Sequence, residues 1–426
     1  MKYIRRAIDK DLDLRQQAFG AINIVGPKGC GKTRTAQERC RSVVAFEDPD
    51  YRRSYLTLAD TSPSSLLQGD RPILFDEWQD APKIWDAVRY TCDKEDLYGA
   101  FYLTGSTSKK VETAHSGTSR ISTIEMHPMS LFESGDSNGK IPLSMLFENP
   151  EAAIDGIRSD LTLEQLIFAA CRGGWPRTLS IPSDEAKLLV AKDYFQKICD
   201  DDISRIDHVK RNPEWARALL KSYARNIGTL AKKSVIFQDV HSNADLSEST
   251  FDEYVEKLKE LYVIKDIEAW APQIRSEKSL RTPIKHVFED PSIAISALGL
   301  SPQYFLKDFD LFGHIFEALV FRDLTVYAQG MGGRLSHYHD ALGLEIDAVL
   351  QREDGRYALI EVKLGDRRIE EGIRNVNKFA NLVKESNEKG DKLPLLEPTL
   401  KIIITAGSLA YRKDGVLILP IGCLRD

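Results

Sequence analysis

Ile22-Asn23-Ile24-Val25-Gly26-Pro27-Lys28-Gly29-Cys30-Gly31-Lys32-Thr33 is the stretch that decides how this chain is read. An apolar, β-rich run from Ala21 to Val25 leads into a glycine-rich turn, and Arg34 to Arg39 can all continue a helix. That order gathers successive backbone N–H groups around one anion at the positive end of a helix. Gly26, Gly29 and Gly31 permit backbone angles that a Cβ forbids, so Gly26, Pro27, Lys28, Gly29, Cys30 and Gly31 are expected to wrap a polyphosphate. The spacing then puts the Lys32 ammonium on the β- and γ-phosphates and the Thr33 hydroxyl on Mg²⁺.

Working outward, Arg71-Pro72-Ile73-Leu74-Phe75-Asp76-Glu77-Trp78 ends a short apolar run in two carboxylates. A buried parallel strand reads this way when its C-terminal end opens on a ligand crevice. Asp76 is expected to hold Mg²⁺ through its water shell, and Glu77 to orient and polarise the attacking water. Ala100-Phe101-Tyr102-Leu103-Thr104-Gly105-Ser106 is a further strand, expected beside the Asp76 strand, with Ser106 as the sensor of the γ-phosphate and Thr104 second. Arg120 is a candidate arginine finger, whose planar charge stabilises a transferring phosphoryl group; the alternative is a surface arginine.

The 426 residues suggest two to four domains. A formal net charge of −6 does not describe a generic nucleic-acid binder, because phosphate binding needs clustered Lys and Arg; DNA contact therefore has to come from local patches. Six scattered cysteines without metal-ligand spacing read as reduced thiols. The first residues lack the apolar core of a signal peptide and no run approaches a membrane span, so a cytoplasmic location without membrane contact is expected.

These motifs together resemble a known family. Residues 1 to about 135 are similar to the AAA-type ATPase domain of a large bacterial and archaeal family of predicted ATPases whose C-terminal region is catalogued as a domain of unknown function. The resemblance rests on the phosphate loop, Leu74-Phe75-Asp76-Glu77, Leu103-Thr104-Gly105-Ser106, and the Arg120 segment running into Pro128-Met129-Ser130, and it continues at Gly173-Gly174-Trp175-Pro176. It implies ATP as ligand, ATP hydrolysis, and a homo-oligomeric ring in which the finger acts on a neighbour's nucleotide.

Residues 136–160 read as a polar, glycine-containing linker. Apolar residues at helical spacing follow at Leu163, Leu166, Ile167 and Ala170, and again at Trp215, Leu219, Leu220 and Tyr223. From Thr229 the order helix, turn, helix, β-pair resembles a winged helix-turn-helix. Its hairpin segment is net basic (Arg275, Lys278, Arg281 and Lys285 against Glu277) and could touch phosphates. Its second helix is acidic, with Glu248, Asp252, Glu253, Glu256 and Glu260. DNA contact and protein contact both stay open.

The C-terminal part places Glu317 on an amphipathic helix, Asp347 on one strand, and Glu361-Val362-Lys363 on the next, where the strand period of two sets Glu361 and Lys363 on one face. This set looks like the PD-(D/E)xK nuclease superfamily, with Ile346 in place of its proline. The resemblance implies Glu317, Asp347 and Glu361 as ligands of a second Mg²⁺ or Mn²⁺, and Lys363 as the catalytic cation; a nuclease-like fold does not by itself mean cleavage. The expected architecture is α/β throughout: a P-loop AAA-type parallel-sheet domain (1–135), a helical lid and winged-helix region (136–295), and a restriction-endonuclease-like α/β domain (296–426).

Overall fold

The computed structural model describes residues 2–106, 116–207, 209–242, 244–271, 284–340, 342–389 and 394–426. In its N-terminal unit α1 (Asp9–Ala18) leads into β1 (Ala21–Val25), the phosphate loop and α2 (Lys32–Gln37), followed by β2 (Ser42–Ala45), α3 (Arg52–Thr61), β3 (Ile73–Asp76), α4 (Lys83–Glu95), β4 (Phe101–Gly105) and β5 (Ile121–Glu125). The strands form one parallel sheet in the order β2-β3-β4-β1-β5. Both faces are covered, which is why these strands are continuously apolar. Ala21, Phe75, Phe101 and Leu103 pack on one side with α3 and α4 residues, and Ile22, Ile24, Leu74 and Tyr102 pack on the other.

Next come β6 (Ile141–Pro142), α5 (Leu143–Glu148), α6 (Leu163–Arg172) and α7 (Asp184–Lys197), which runs through a π turn (Ile198–Asp202) into α8 (Ile203–Arg205). Then follow α9 (Pro213–Arg225), α10 (Lys233–His241) and α11 (Glu248–Glu260), the antiparallel pair β7 (Ile264–Ile267) and β8 (Lys285–Phe288), α12 (Pro291–Leu298) and α13 (Pro302–Phe305). Local chemistry sets several of these boundaries. Thr162 and Gln165 form a reciprocal capping box at the start of α6, and Ser247 caps α11.

The C-terminal unit is α14 (Phe309–Gly330), β9 (Gly333–His339), β10 (Glu345–Arg352), β11 (Tyr357–Lys363), α15 (Ile369–Glu388), β12 (Leu400–Thr405), β13 (Tyr411–Lys413), β14 (Val416–Pro420) and β15 (Leu424–Arg425). Six of its strands make a mixed sheet, β13-β14-β12-β11-β10-β9. The β11, β12 and β14 pairings are parallel and the others antiparallel. Alternate residues of β11 divide between two cores: Ala358, Ile360 and Val362 join the large core shared with the helical region, while Tyr357 and Leu359 pack with Ile373, Val376 and Phe379 of α15.

One expectation about organisation is corrected. Residues 136–160 are not an exposed linker: β6 pairs in parallel with β15, Gly156 and Ser159 donate backbone N–H groups to Ala410 and Ser408, and Ile141, Leu143, Leu146 and Phe147 are buried. The segment looked like a loop because its backbone partners lie far away in sequence. The helical region shares its core with the C-terminal unit, one apolar cluster reaching from Leu131 to Leu424. Among the described residues, no helix is long and apolar enough to cross a membrane.

Candidate active site

The phosphate loop opens at the C-terminal end of β1. Gly26 has φ +142° and a Cβ there would sit 2.2 Å from the Met126 carbonyl oxygen, so the position demands glycine twice over. Lys32 is buried, and its ammonium donates to the carbonyls of Gly26 and Pro27, each at 2.8 Å. The loop thus satisfies the Lys32 ammonium with two of its own carbonyls. Thr33 Oγ1 donates to Asp76 Oδ1 at 2.8 Å, and Thr104 Oγ1 donates to the same oxygen. This is possible because β4 lies between β1 and β3.

Glu77 follows Asp76 with φ 54° and ψ 47°, a left-handed conformation that a non-glycine residue adopts at an energetic cost and that is common at functional turns. Burial pushes its carboxyl above the ordinary carboxylate range, against the pull of Gln79 and Lys32. Ser106 Oγ donates to Glu77 Oε2 at 3.1 Å, and Gln79 Nε2 donates to the same oxygen. The turn is tied back to β1 through Trp78 Nε1, which donates to Asn23 Oδ1 at 3.1 Å. Lys32, Thr33, Asp76, Thr104, Glu77 and Ser106 therefore share one end of one sheet. A hydroxyl and a carboxylate side by side, with a buried ammonium at the same end of the sheet, suit a magnesium-bound polyphosphate, and the second carboxylate suits a water.

Residues 18–134 match the family model described as "AAA domain". The chain has an AAA-type ATPase domain. Residues 163–304 and 312–424 match two models described only as domains of unknown function, DUF8612 and DUF4143 respectively. No curated protein matches the chain. Among solved structures, a Walker-type ATPase of Pyrococcus abyssi is 12% identical over 68% of this chain and 93% of its own, with a TM-score of 0.37. A RuvB variant of Thermotoga maritima is 15% identical, covering 64% and 92%, with a TM-score of 0.26. A signal-transduction ATPase with a tetratricopeptide repeat sensor from Pyrococcus horikoshii is 13% identical, covering 75% and 48%, with a TM-score of 0.25. At these TM-scores the three likenesses carry no argument about this chain.

Arg120 is not brought to the phosphate loop of the AAA domain. It precedes β5, at the N-terminal edge of the sheet, where its carbonyl accepts from Ala21 and its guanidinium pairs with Asp93. The loop is at the other edge, about 17 Å away for five residues of strand. Two other cations stand at the loop: Lys28, expected among the residues that wrap the phosphates, and Arg6, which no sequence motif singles out. Arg6 is buried, donating to the carbonyls of Cys30 (2.8 Å) and His127 (2.9 Å) and pairing with Glu133. Lys28 reaches Asp202 at the end of the π turn, at 2.6 Å. Cys30 is a buried thiol held up by desolvation, so it contributes backbone rather than a nucleophile.

The AAA domain is joined to β8 by a second ionic cluster. His127 Nδ1 is 2.5 Å from Glu289 Oε1, and Lys265 Nζ is 3.0 Å from Glu289 Oε2. Burial raises the Glu289 carboxyl, but Lys265 and His127 outweigh it and hold it at about 2. A depressed carboxyl gives stability that is complete above its unfolded value and is lost as pH falls toward the folded one. Denaturant titrations between pH 5 and pH 3 are therefore expected to show a wild-type loss that Glu289→Gln lacks. An equal acid loss in both proteins overturns this.

In the C-terminal unit, Asp347 lies within a register shift between Ile346 and Val349, a bulge of the kind that re-aims a side chain. It accepts from the Val362 N–H at 2.7 Å. Lys363 Nζ lies 2.5 Å from Glu361 Oε2 and 3.4 Å from Asp347 Oδ2. Glu317 pairs instead with Lys285. A cavity of about 700 Å³ is lined by Glu317, Asp347, Lys363, His314, Arg367 and Arg368 among others. Among the described residues, metal-capable atoms of three side chains come within 4.8 Å of one another at Glu125, His127 and Glu289, and not at Glu317, Asp347 and Glu361. The expected three-carboxylate ligand set is thus not converged: two lysine ammonium groups stand among the carboxylates. Lys285, read from sequence as a phosphate contact, is fully buried; Arg275, Lys278 and Arg281 lie outside the described residues.

Proposed function

We propose that the chain is an ATP-hydrolysing switch whose AAA domain controls a nuclease-like C-terminal domain. The observation that carries the ATP site is the convergence of Thr33 and Thr104 on one oxygen of Asp76, at the same end of the sheet as the buried Lys32. In this reading Gly26, Pro27, Lys28, Gly29, Cys30 and Gly31 enclose the phosphates, with Thr33 and Asp76 beside the Mg²⁺ that accompanies ATP. That ion would neutralise charge developing on the phosphoryl oxygens. Lys32 leaves its two carbonyls for the β- and γ-phosphates. Glu77 takes the proton of the attacking water, Gln79 and Ser106 fix its carboxylate, and Ser106 senses the γ-phosphate. Arg120 serves a neighbouring subunit's nucleotide, if rings form, since its own lies across the sheet.

Lys32→Ala is expected to lower ATP affinity by about 30-fold or more, the weight of about 2 kcal/mol for a buried charge contact, and to reduce turnover to background. Calorimetric ATP titration together with phosphate release checks this. Wild-type affinity with wild-type turnover overturns the assignment.

For the C-terminal domain, the order α14, β9, β10, β11, α15, β12 and the grouping of Asp347, Glu361 and Lys363 support a nuclease-like reading with DNA as substrate. Asp347 and Glu361 would hold Mg²⁺ or Mn²⁺, which would generate the attacking hydroxide, and Lys363 would steady the developing charge. Metal-dependent cleavage of single- and double-stranded DNA, lost in Asp347→Ala, tests it.

A second reading, an ATP-gated protein-binding switch with an inactive nuclease-like domain, is favoured by α11. The helices α9, α10 and α11 with the β7-β8 hairpin have winged-helix order, but the α11 lysines are spent on neighbouring acids: Lys257 on Glu260 and Asp207, Lys259 on Glu256 and Asp266. Asp252 and Glu253 are likewise paired, with Lys233 and Arg211, so α11 keeps no lysine free for a phosphate. DNA affinity falling steeply with salt supports the first reading, and absence of binding the second.

A further inference from the structure

β8 has one end at each site. Immediately after it, Glu289 is held by His127, which stands two residues beyond β5. The adjoining Met126 carbonyl lies against Gly26 of the phosphate loop. At its start, Lys285 is 1% exposed, pairs with Glu317, and sits 4.8 Å from the ring centroid of Phe321. The α9-α10 loop closes over the same spot: a Cβ at Gly228 would lie 3.0 Å from His314 Nδ1 and 3.2 Å from Glu317 Oε2.

We infer that Lys285 is a tethered cation that plugs the C-terminal acidic site, so that the helical region holds this site closed to a divalent metal. The inference rests on the nuclease-like reading above and adds its control. Glu317, Asp347 and Glu361 are paired in place, the first with Lys285 and the other two with Lys363. A divalent ion entering this arrangement meets two ammonium groups at short range, and like charges in a desolvated site repel strongly. Withdrawing β8 removes one of them and leaves Glu317 buried without a counter-ion, a condition that a metal relieves. Opening and metal uptake are therefore linked, and the linkage is reciprocal: whatever moves β8 raises metal affinity, and metal favours moving β8. Because Glu289 ties the other end of β8 to the AAA domain, the phosphate loop has a physical handle on the plug.

Lys285→Met keeps the length of the side chain and deletes its charge. Calorimetric titration of the nucleotide-free full chain with MnCl₂ is expected to show affinity at least tenfold above wild type in this variant, lost again in Lys285→Met/Asp347→Ala, with the thermal midpoint reporting the fold. Hydrogen exchange of the wild-type chain supplies the arm that needs no variant: Mn²⁺ is expected to speed exchange of the β8 amides. Wild-type Mn²⁺ binding that Asp347→Ala abolishes but Lys285→Met leaves unchanged, with β8 exchange unaltered, overturns the plug and leaves the metal site standing. No Mn²⁺ binding in either folded protein overturns both.

Discussion

Replacing Glu77 with glutamine is expected to lower kcat for ATP hydrolysis by about 10²- to 10⁴-fold, the ordinary weight of a positioned general base, while ATP binding stays within a few-fold of wild type. The separation follows from where the carboxylate sits. Lys32, Thr33 and Asp76 line the phosphate end of the sheet, whereas Glu77 is turned aside by its left-handed backbone and held by Gln79 and Ser106. Glutamine keeps the shape and loses the ability to take a proton. Burial raises the Glu77 carboxyl, which fixes the sign of the pH dependence. The ionised base is depleted as pH falls through the raised value, so wild-type kcat drops on the acid side and the residual rate of Glu77→Gln does not follow it. Single-turnover hydrolysis across pH 5 to 8, beside equilibrium ATP binding, measures both. A glutamine variant turning over at the wild-type rate would remove Glu77 from the chemistry.

The AAA domain was legible because its signals are local. A strand, a glycine loop, Lys32-Thr33 and a strand ending in Asp76-Glu77 are each contiguous, and the sheet brings their ends together by parallel pairing. Thr104 and Ser106 were readable for the same reason. Arg120 was not, because a strand's direction decides which edge its flanking residues occupy, and nothing beside Arg120 encodes that β5 begins there. The partners that hold the site, Arg6 on Cys30 and His127 and Asp202 on Lys28, are long-range contacts without a spacing to betray them. Lys285 illustrates the point most sharply. In a charge count it joins a basic stretch, yet in space it is a buried counter-ion of Glu317, and only the placement of β8 against α14 distinguishes these two roles. Likewise Glu361 and Lys363 were placed by the strand period, whereas the bulge that re-aims Asp347 toward them had no signature in the sequence.

Arg322→Met is expected to destabilise the chain by about 3–5 kcal/mol, the range for removing one partner of a buried ion pair. Arg322 is 2% exposed and lies between two fully buried carboxylates, Asp323 and Asp290. Each carboxylate also holds a separate part of the chain. Asp323 accepts from the Leu131 N–H at 3.0 Å, where the AAA domain ends. Asp290 accepts from the N–H groups of Gly174 at 2.8 Å and Ser292 at 2.9 Å, fixing the Gly173-Gly174-Trp175-Pro176 turn and the start of α12. Without the guanidinium, two desolvated negative charges face each other across this junction. Asp323, whose carboxyl burial already raises, responds by binding a proton, so its folded-state pKa stands above the unfolded one. A raised carboxyl makes the folded state bind more protons than the unfolded, and stability then increases as pH falls. The deficit of Arg322→Met is therefore expected to be largest near pH 8 and to shrink toward pH 5, read as urea midpoints at each pH. Arg322→Met/Asp290→Asn/Asp323→Asn, which removes every charge, is expected to recover much of the loss. A deficit below about 1 kcal/mol, independent of pH, is the size of a surface pair and would mean that water reaches Asp290 and Asp323. The three segments tied by Arg322 are the end of the AAA domain, the turn that touches it, and α14 carrying Glu317, so the residue that secures the fold also fixes the frame on which any motion between the two sites must turn.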